Sequence, residues 1–199
     1  FNLMARLSDA PLIVMEGDEY PSSPIDLRPK IHHYHPHIAI ITGIAWDHIN
    51  VFPTFEGYVS QFDQFIEMIQ PEGNLIYFQS DETLHQVITK KTNVPFSLTP
   101  YESFNSKVEN GQTILMTATG QHVPLSVFGQ HNLANLKAAY HACKAIGLSD
   151  AQFFEAIPNF KGAAKRLQLL REAEQFLAYL DFAHAPSKAV ATINAFKAQ

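Results

Sequence analysis

Short continuous runs of apolar residues alternate along this chain with stretches in which apolar residues recur every three or four positions. Continuous runs of this kind predict the buried strands of a parallel sheet, here at residues 12–15, 37–44 and 74–79. Apolar positions from Phe55 to Ile69 follow helical spacing, with Thr54 as N-cap, and a second helix is predicted over about 82–91. Strands that alternate with helices favour an α/β fold with a mostly parallel sheet flanked by helices.

The second half of the chain adds an antiparallel element and further helices. Residues 113–118 and 122–128 flank a Thr-Gly-Gln turn, which predicts an antiparallel hairpin added to the sheet. A helix is predicted over 131–147, with Gly147 at its end. Ser149 and Gln152 have the spacing of a capping box, which opens one more short helix.

Residues 158–162, with the sequence PNFKG, break this pattern. A strand over 175–180 and a helix over 187–197 are predicted beyond them. We place a domain boundary near residue 160, so that residues 1–160 form one domain. Residues 161–199 hold about one strand and one helix, too little for an independent core. The second domain is therefore expected to be truncated.

Composition excludes several classes of function. The 199 residues are 46% hydrophobic and carry a formal net charge of −5, so no basic surplus is present for binding nucleic acid. The only cysteine, Cys143, excludes an internal disulfide and fits a reducing, cytoplasmic compartment. No apolar run is long enough to cross a membrane, and no signal peptide is visible. Because the chain begins at Phe1, we expect an excerpt of a longer protein.

Polar clusters follow three of the predicted strands. They comprise residues 16–19, Asp47 with His48, and Asp181 with His184. Ligands of open α/β sheets bind outside the carboxyl ends of the strands, and carboxylates with a histidine there can hold Mg²⁺ against a phosphate. Each cluster taken alone is equally compatible with a solvated strand end, whereas three together favour a site.

Two asparagines and one arginine are further candidates. Asn132 and Asn135 lie three residues apart at a predicted helix start, so they share a face on which an amide could pair with an adenine edge. Helix capping is the alternative interpretation. Arg166 follows the predicted boundary, where a cation can reach a phosphate when domains close, although a surface arginine is the usual case.

The histidine-rich segment at residues 32–37 suggests a metal site. Alternation would place His33, His35 and His37 on one face, but Pro36 and the following strand make a polar strand edge the preferred interpretation. No Walker-type phosphate loop, G-x-G-x-x-G motif or nucleophile elbow occurs in the chain.

These motifs together resemble the Mur ligase superfamily, most closely its murein peptide ligase branch. The matching segments are EGDEY from Glu16, DLRPK from Asp26, His33-Tyr34, WDHINVFP from Trp46, Gly129-x-His131-Asn132-x-x-Asn135, Arg166, and DFAH from Asp181. The resemblance covers essentially the whole chain. It implies the central ATP-binding domain over 1–160, without its phosphate loop, followed by the beginning of a Rossmann-like C-terminal domain.

The resemblance also implies a role for each matching residue. Glu16 would bind the Mg²⁺ that bridges the ATP phosphates, and His48 would hold a second Mg²⁺ near an acyl phosphate. Asn132 and Asn135 would face adenine. The remaining candidates approach from the C-terminal side, with Arg166 and His184 at the phosphates and Asp181 at the ribose.

The implied reaction joins the murein tripeptide L-alanyl-γ-D-glutamyl-meso-diaminopimelate to UDP-N-acetylmuramate through an acyl phosphate, at the expense of ATP, in peptidoglycan recycling. The absence of lysine between His48 and Lys90 fits this branch and the alanine-adding branch. Ala185 replaces a common second histidine, and Asn50 stands where an aspartate is common. The alternatives are a UDP-N-acetylmuramate–L-alanine ligase, a nucleotide-binding module without catalysis, and a histidine-cluster metallohydrolase.

Overall fold

The computed structural model of the chain describes residues 8–184 and 186–199. The elements in chain order are β1 (Pro21–Ser23), β2 (Asp26–Pro29), β3 (Ile38–Ile41), α1 (Phe55–Glu67), β4 (Asn74–Phe78), α2 (Glu82–Thr89), β5 (Ser97–Tyr101), β6 (Ser106–Glu109), β7 (Gln112–Met116), β8 (His122–Pro124), α3 (Gln130–Ala145), α4 (Asp150–Ala156), β9 (Gln168–Ala173), β10 (Phe176–Leu180) and α5 (Pro186–Ala198). Short 3₁₀ turns at Lys30–His33 and Ile157–Asn159 complete the list.

A three-stranded parallel sheet in the order β3-β4-β5 forms the centre of the fold. Helices α1 and α2 make the two crossovers, as the spacing predicts. Both begin at a side-chain cap, because Thr54 Oγ1 accepts the backbone N–H of Gly57 at 3.1 Å and Asp81 Oδ1 accepts that of Leu84 at 2.8 Å.

Both faces of this sheet are covered, which is why its strands are continuous apolar runs. On one face, Leu75 of β4 packs with Ile66 of α1 and Leu84 of α2 in the larger core. On the other face, Ile76 packs with Tyr101 and with Ala138 of α3. Successive residues of one strand thus serve two different layers.

The predicted hairpin forms as β7 and β8, but it does not extend the parallel sheet. Among the described residues it pairs with β6 to give a separate three-stranded antiparallel sheet. Leu115 and Val123 of this sheet pack with α3 and α4 in a second core. Helix α4 begins at the predicted capping box, since Ser149 and Gln152 each bond the backbone of the other.

The predicted buried strand at residues 12–15 is wrong. These residues belong to no strand, and each of them is 50–89% exposed. A strand needs a neighbour for its backbone hydrogen bonds and a layer to cover its apolar side chains. Residues 12–15 pair with no strand among the described residues and are exposed, so neither requirement is met there.

The end of the chain folds as a hairpin and a helix instead of a single strand and a helix. Strand β9, which the sequence analysis missed, pairs antiparallel with β10. The unit β9-β10-α5, here called the C-terminal unit, packs on the rest through Phe128, whose ring lies 5.8 Å from that of Tyr179 and 5.3 Å from that of Phe196. Gly129 has φ +89°, and a Cβ added there would lie 2.6 Å from the side chain of Ala195. Helix α5 can therefore pack this closely only because residue 129 is glycine.

Within the described residues, no helix is both long and apolar enough to cross a membrane.

Candidate active site

The loop that follows β3 carries the central residues of the site. Gly43, with φ +146°, lies against Asp81, whose Oδ2 accepts the backbone N–H of Ile44 at 3.0 Å. The loop then turns tightly, because the carbonyl of His48 accepts the backbone N–H groups of Val51 and Phe52. His48 itself has φ +54°, an uncommon value for a residue with a side chain. The turn therefore presents Asp47 and His48 at the carboxyl end of the sheet, as predicted.

Glu19 is the carboxylate beside the imidazole of His48. Its Oε1 lies 3.6 Å from His48 Nε2 and accepts the hydroxyl of Tyr58 at 2.9 Å. Tyr58 is buried in α1, and burial, followed by the charge of Glu19, raises the pKa of its hydroxyl. The tyrosine therefore stays a neutral donor and holds Glu19 in place.

Asp47 is contacted from the opposite direction by the C-terminal unit. Lys188 Nζ donates to Asp47 Oδ2 at 2.7 Å, and His184 Nε2 lies 3.7 Å from the same oxygen. The other oxygen, Oδ1, accepts the backbone N–H of His48. Burial acts to raise the pKa of Asp47, but the hydrogen bonds from Lys188 and His48 outweigh it and hold the pKa below its ordinary value.

Residues 16–20 form the outer wall of this cluster. Lys30 Nζ donates to Asp18 Oδ2 at 2.5 Å, and the Tyr20 ring meets the His48 ring edge-on at 4.9 Å. Glu16 is exposed, and its charge acts on Lys30. The acid that contacts His48 is thus Glu19, three residues beyond the predicted Glu16. The metal-binding role of Glu16 remains a prediction.

The two asparagines of α3 differ in their surroundings. Asn132 Nδ2 donates to the carbonyl of Phe128 at 2.8 Å, whereas Asn135 is exposed. Neither side chain caps the helix, which begins at Gly129 without a side-chain cap. Next to them, burial lowers the pKa of His131, the nearby Asp181 opposes this shift, and Arg166 adds to it. The start of α3 therefore adjoins the predicted residues of the C-terminal side.

Asp181 organises the backbone that leads into the C-terminal unit. Its two oxygens accept the N–H groups of Leu167, at 2.8 Å, and Ala183, at 2.7 Å. The guanidinium carbon of Arg166 lies 5.4 Å from the centre of the Phe182 ring. Arg166 itself is exposed. His184 Nδ1 lies 2.9 Å from the carbonyl of Phe182 and donates to it, because a carbonyl can only accept. The structure thus brings Arg166, Asp181 and His184 together around Phe182.

The first part of the histidine-rich segment is not the predicted strand edge. His32 and His33 belong instead to the 3₁₀ turn Lys30–His33. His32 is buried and donates from Nε2 to the carbonyl of Gln61 at 2.9 Å, while His33 lies 3.5 Å from Asp26. The alternation assumed for these residues is therefore broken by the turn.

The donor set of the site fits a cation that is shared with phosphates. No group of three or more His, Cys, Asp or Glu side chains is placed to hold a metal among residues 8–184 and 186–199. Mg²⁺, however, commonly takes one or two carboxylates and completes its shell with water and phosphate oxygens. Asp47 already binds a cation, the ammonium of Lys188, through its Oδ2. Asp47, whose Oδ2 already attracts a cation, is therefore the residue of this cluster that best suits a Mg²⁺ ion completed by water and phosphate oxygens.

Three residues of this site had no assigned role in the sequence analysis. Glu19 lay inside the acidic segment already singled out, so proximity alone could have suggested it. Tyr58 was assigned to the core of α1, and no sequence pattern shows which core hydroxyl meets a carboxylate. Lys188 lies 141 residues from Asp47 along the chain, a separation across which sequence reveals no contact.

Comparison with known proteins places these features in a family. The family model "Mur ligase middle domain" matches residues 3–143, well over half of the chain. The UDP-N-acetylmuramate–L-alanyl-γ-D-glutamyl-meso-2,6-diaminoheptandioate ligase of Haemophilus influenzae is 28% identical over 99% of this chain and 45% of its own length. The UDP-N-acetylmuramate–L-alanine ligase of Carboxydothermus hydrogenoformans is 29% identical over 97% of this chain and 42% of its own length.

Among solved structures, MurF from Acinetobacter baumannii superposes with a TM-score of 0.72 at 21% identity, over 85% of this chain and 39% of that one. This likeness shows the fold. The chain thus spans less than half the length of the curated relatives that it matches. With the family model matched across the β3 loop and the start of α3, the chain belongs to the Mur ligase family.

Proposed function

We propose that this chain is the central part of an ATP-dependent ligase that joins L-alanyl-γ-D-glutamyl-meso-diaminopimelate to UDP-N-acetylmuramate, a step of peptidoglycan recycling. The observation that carries the proposal is the cluster of Glu19, His48 and Asp47 at the carboxyl end of β3, which Lys188 and His184 face from the C-terminal unit. Carboxylates on one side, with an ammonium and an imidazole on the other, suit a bound metal–triphosphate.

In the proposed reaction the muramate carboxylate attacks the γ-phosphorus of ATP, the bond from that phosphorus to ADP breaks, and the products are an acyl phosphate and ADP. The amine of the tripeptide then attacks the acyl carbon, and phosphate leaves as the amide bond forms. Bound Mg²⁺ would neutralise the negative charge that gathers at the transferred phosphoryl group. Arg166 would add positive charge from the C-terminal side, and His184 would offer its imidazole as a hydrogen-bonding group.

The residues on the β3 side would fix the geometry of that centre. We propose that His48 and Asp47 hold a cation, and that Glu19 orients the imidazole through the contact at its Nε2, as carboxylates orient many metal-bound histidines. Tyr58 in turn orients Glu19. Following the family resemblance, Glu16 is proposed as a further metal-binding carboxylate. Asn132 and Asn135 are proposed at adenine and Asp181 at the ribose.

The division of the chain is part of the same proposal. Residues 1–160 would be the central domain and 161–199 the start of the next one, with the cleft between them as the place of catalysis. The Phe128 contacts and the Asp47–Lys188 pair join the two parts across this boundary.

A second candidate is the alanine-adding reaction, because the relative that is 29% identical carries that name. The test is phosphate release by the full-length protein with ATP, Mg²⁺ and UDP-N-acetylmuramate, given either the tripeptide or L-alanine, with the product mass measured. We expect turnover when the tripeptide is the amine substrate and none when L-alanine replaces it. Turnover with L-alanine alone would establish the second candidate, and no turnover with either would favour a nucleotide-binding module without catalysis.

The contribution of Glu19 can be tested in the same assay. Glu19→Gln keeps the shape of the side chain but removes its charge, and we expect kcat to fall about 10-fold to 100-fold. Glu109→Gln, an exposed acid paired with Lys107 on β6, is the matched control and should leave kcat unchanged. Equal activities of the two variants would contradict the role of Glu19.

A further inference from the structure

One carboxylate oxygen of Asp47, Oδ2, here called the outer oxygen, is bound by a lysine to which the sequence alone gave no role. Lys188 Nζ lies 2.7 Å from Asp47 Oδ2, and the aspartate side chain is only 19% exposed. The inner oxygen is bound to the backbone N–H of His48. The outer oxygen is therefore the one that remains for a cation, and an ammonium already holds it.

The ammonium of Lys188 disfavours the binding of a divalent cation at that oxygen. Mg²⁺ coordinates carboxylate oxygens at about 2.0–2.1 Å, which would place it within a few ångströms of the lysine nitrogen. Two positive charges at that separation repel each other strongly in a partly buried site. The metal and the ammonium of Lys188 thus compete for Asp47.

The position of Lys188 makes it easy to displace. It lies in the first turn of α5, where the helix dipole disfavours a positive charge, and 40% of its side chain is exposed. A flexible side chain can leave Asp47 without unfolding the helix. Once released, its ammonium stays near Asp47 and His184, where a bound phosphate would be a new anionic partner.

We propose that Lys188 is an internal competitor for the divalent cation at Asp47, and that metal loading transfers its ammonium from the carboxylate to a phosphate. The second half of this statement rests on the proposed function. The competition itself requires only Asp47, Lys188 and a divalent cation.

The test measures the affinity of the full-length protein for Mn²⁺ alone, by titration with detection of free Mn²⁺ by electron paramagnetic resonance. Lys188→Met removes the competitor, so we expect Mn²⁺ to bind about threefold to tenfold more tightly. Lys188→Arg keeps a cation at this position and should retain the affinity of the unchanged chain. Lys197→Met, on the last turn of the same helix, is the matched control and should also leave it unaltered.

A second substitution assigns the effect to the carboxylate. Asp47→Asn combined with Lys188→Met should abolish the gain. An unchanged or weaker affinity in Lys188→Met, or no detectable Mn²⁺ binding by that variant, would overturn the proposal. Because the titration contains neither nucleotide nor sugar, its outcome is independent of the turnover assay that tests the ligase function.

Discussion

The two carboxylates that flank His48 are held by different parts of the molecule. Glu19 is held by Tyr58, which is 3% exposed and belongs to the core of α1. Asp47 is held by Lys188, a half-exposed side chain of the C-terminal unit. The donor of the first contact is fixed by the core, whereas the donor of the second is a flexible, partly exposed side chain. One side of the site is thus part of the scaffold, and the other side is adjustable.

The strongest test of the fixed side removes the whole Tyr58 side chain. Tyr58→Ala leaves a cavity among Phe52, Phe62 and the rest of the α1 core, and deletes the anchor of Glu19. We expect the free energy of unfolding to fall by about 3–5 kcal/mol, as for other large aromatic side chains in cores. Urea denaturation measures it, and a loss below about 1 kcal/mol would show that Tyr58 is not a core residue.

Removing only the Tyr58 hydroxyl separates packing from anchoring. Tyr58→Phe keeps the ring but leaves Glu19 without its donor, and we expect a loss of about 1–3 kcal/mol. Tyr77→Phe is the control, because the Tyr77 hydroxyl makes no hydrogen bond to the described residues; we expect a change within about 0.5 kcal/mol. Equal losses in the two variants would remove the anchoring role.

Lys91 tests the fixed side through pH. Its ammonium joins Asp63 at 2.8 Å and Glu67 at 3.0 Å on α1. Burial acts to lower the pKa of Lys91, but these carboxylates outweigh it and raise the pKa above the ordinary 10.5. The stabilisation is therefore complete below pH 10.5 and is lost as the pH rises through the folded-state pKa.

The comparison of Lys91→Met with the unchanged chain measures this contribution. Because both carboxylates are about half exposed or more, we expect the variant to be less stable by no more than about 1 kcal/mol at pH 8. The difference should shrink in thermal melts above pH 10.5. A difference that grows with alkaline pH would contradict the assignment.

The smallest effect on stability is expected on the adjustable side. Lys188→Met removes an ion pair whose lysine is 40% exposed, and we expect a change of about 0–0.5 kcal/mol in urea denaturation. Lys197→Met provides the reference for losing a charge from α5. A loss above about 2 kcal/mol would show that Lys188 is part of the scaffold and would erase the contrast with Tyr58.

The fold was largely predictable where local signals agree with packing. The apolar pattern predicted four elements that all form, namely β3, β4, α1 and α2. For α1 the predicted N-cap, Thr54, is also found. The run at residues 12–15 has the same apolar character but forms no strand, because burial depends on a neighbour that local sequence does not specify. β5 was missed because Pro100 and two polar residues dilute its pattern.

The location of the site could be predicted from the sequence, but most of its side-chain contacts could not. The expectation that Asp47 and His48 end a parallel strand is confirmed, since β3 leads into their loop. The pairing of Glu19 with Tyr58 and of Asp47 with Lys188 depends on how distant elements pack. Nothing in residue spacing encodes that packing, so only coordinates reveal it.

The most direct test is a crystal structure of the full-length protein with Mn²⁺ and a non-hydrolysable ATP analogue, with the metal located by anomalous scattering. We predict Mn²⁺ bound to the Asp47 carboxylate, Lys188 displaced onto a phosphate, and the Tyr58–Glu19 hydrogen bond intact. Mn²⁺ bound elsewhere while Lys188 still pairs with Asp47, or Glu19 detached from Tyr58, would contradict the division into a fixed and an adjustable side.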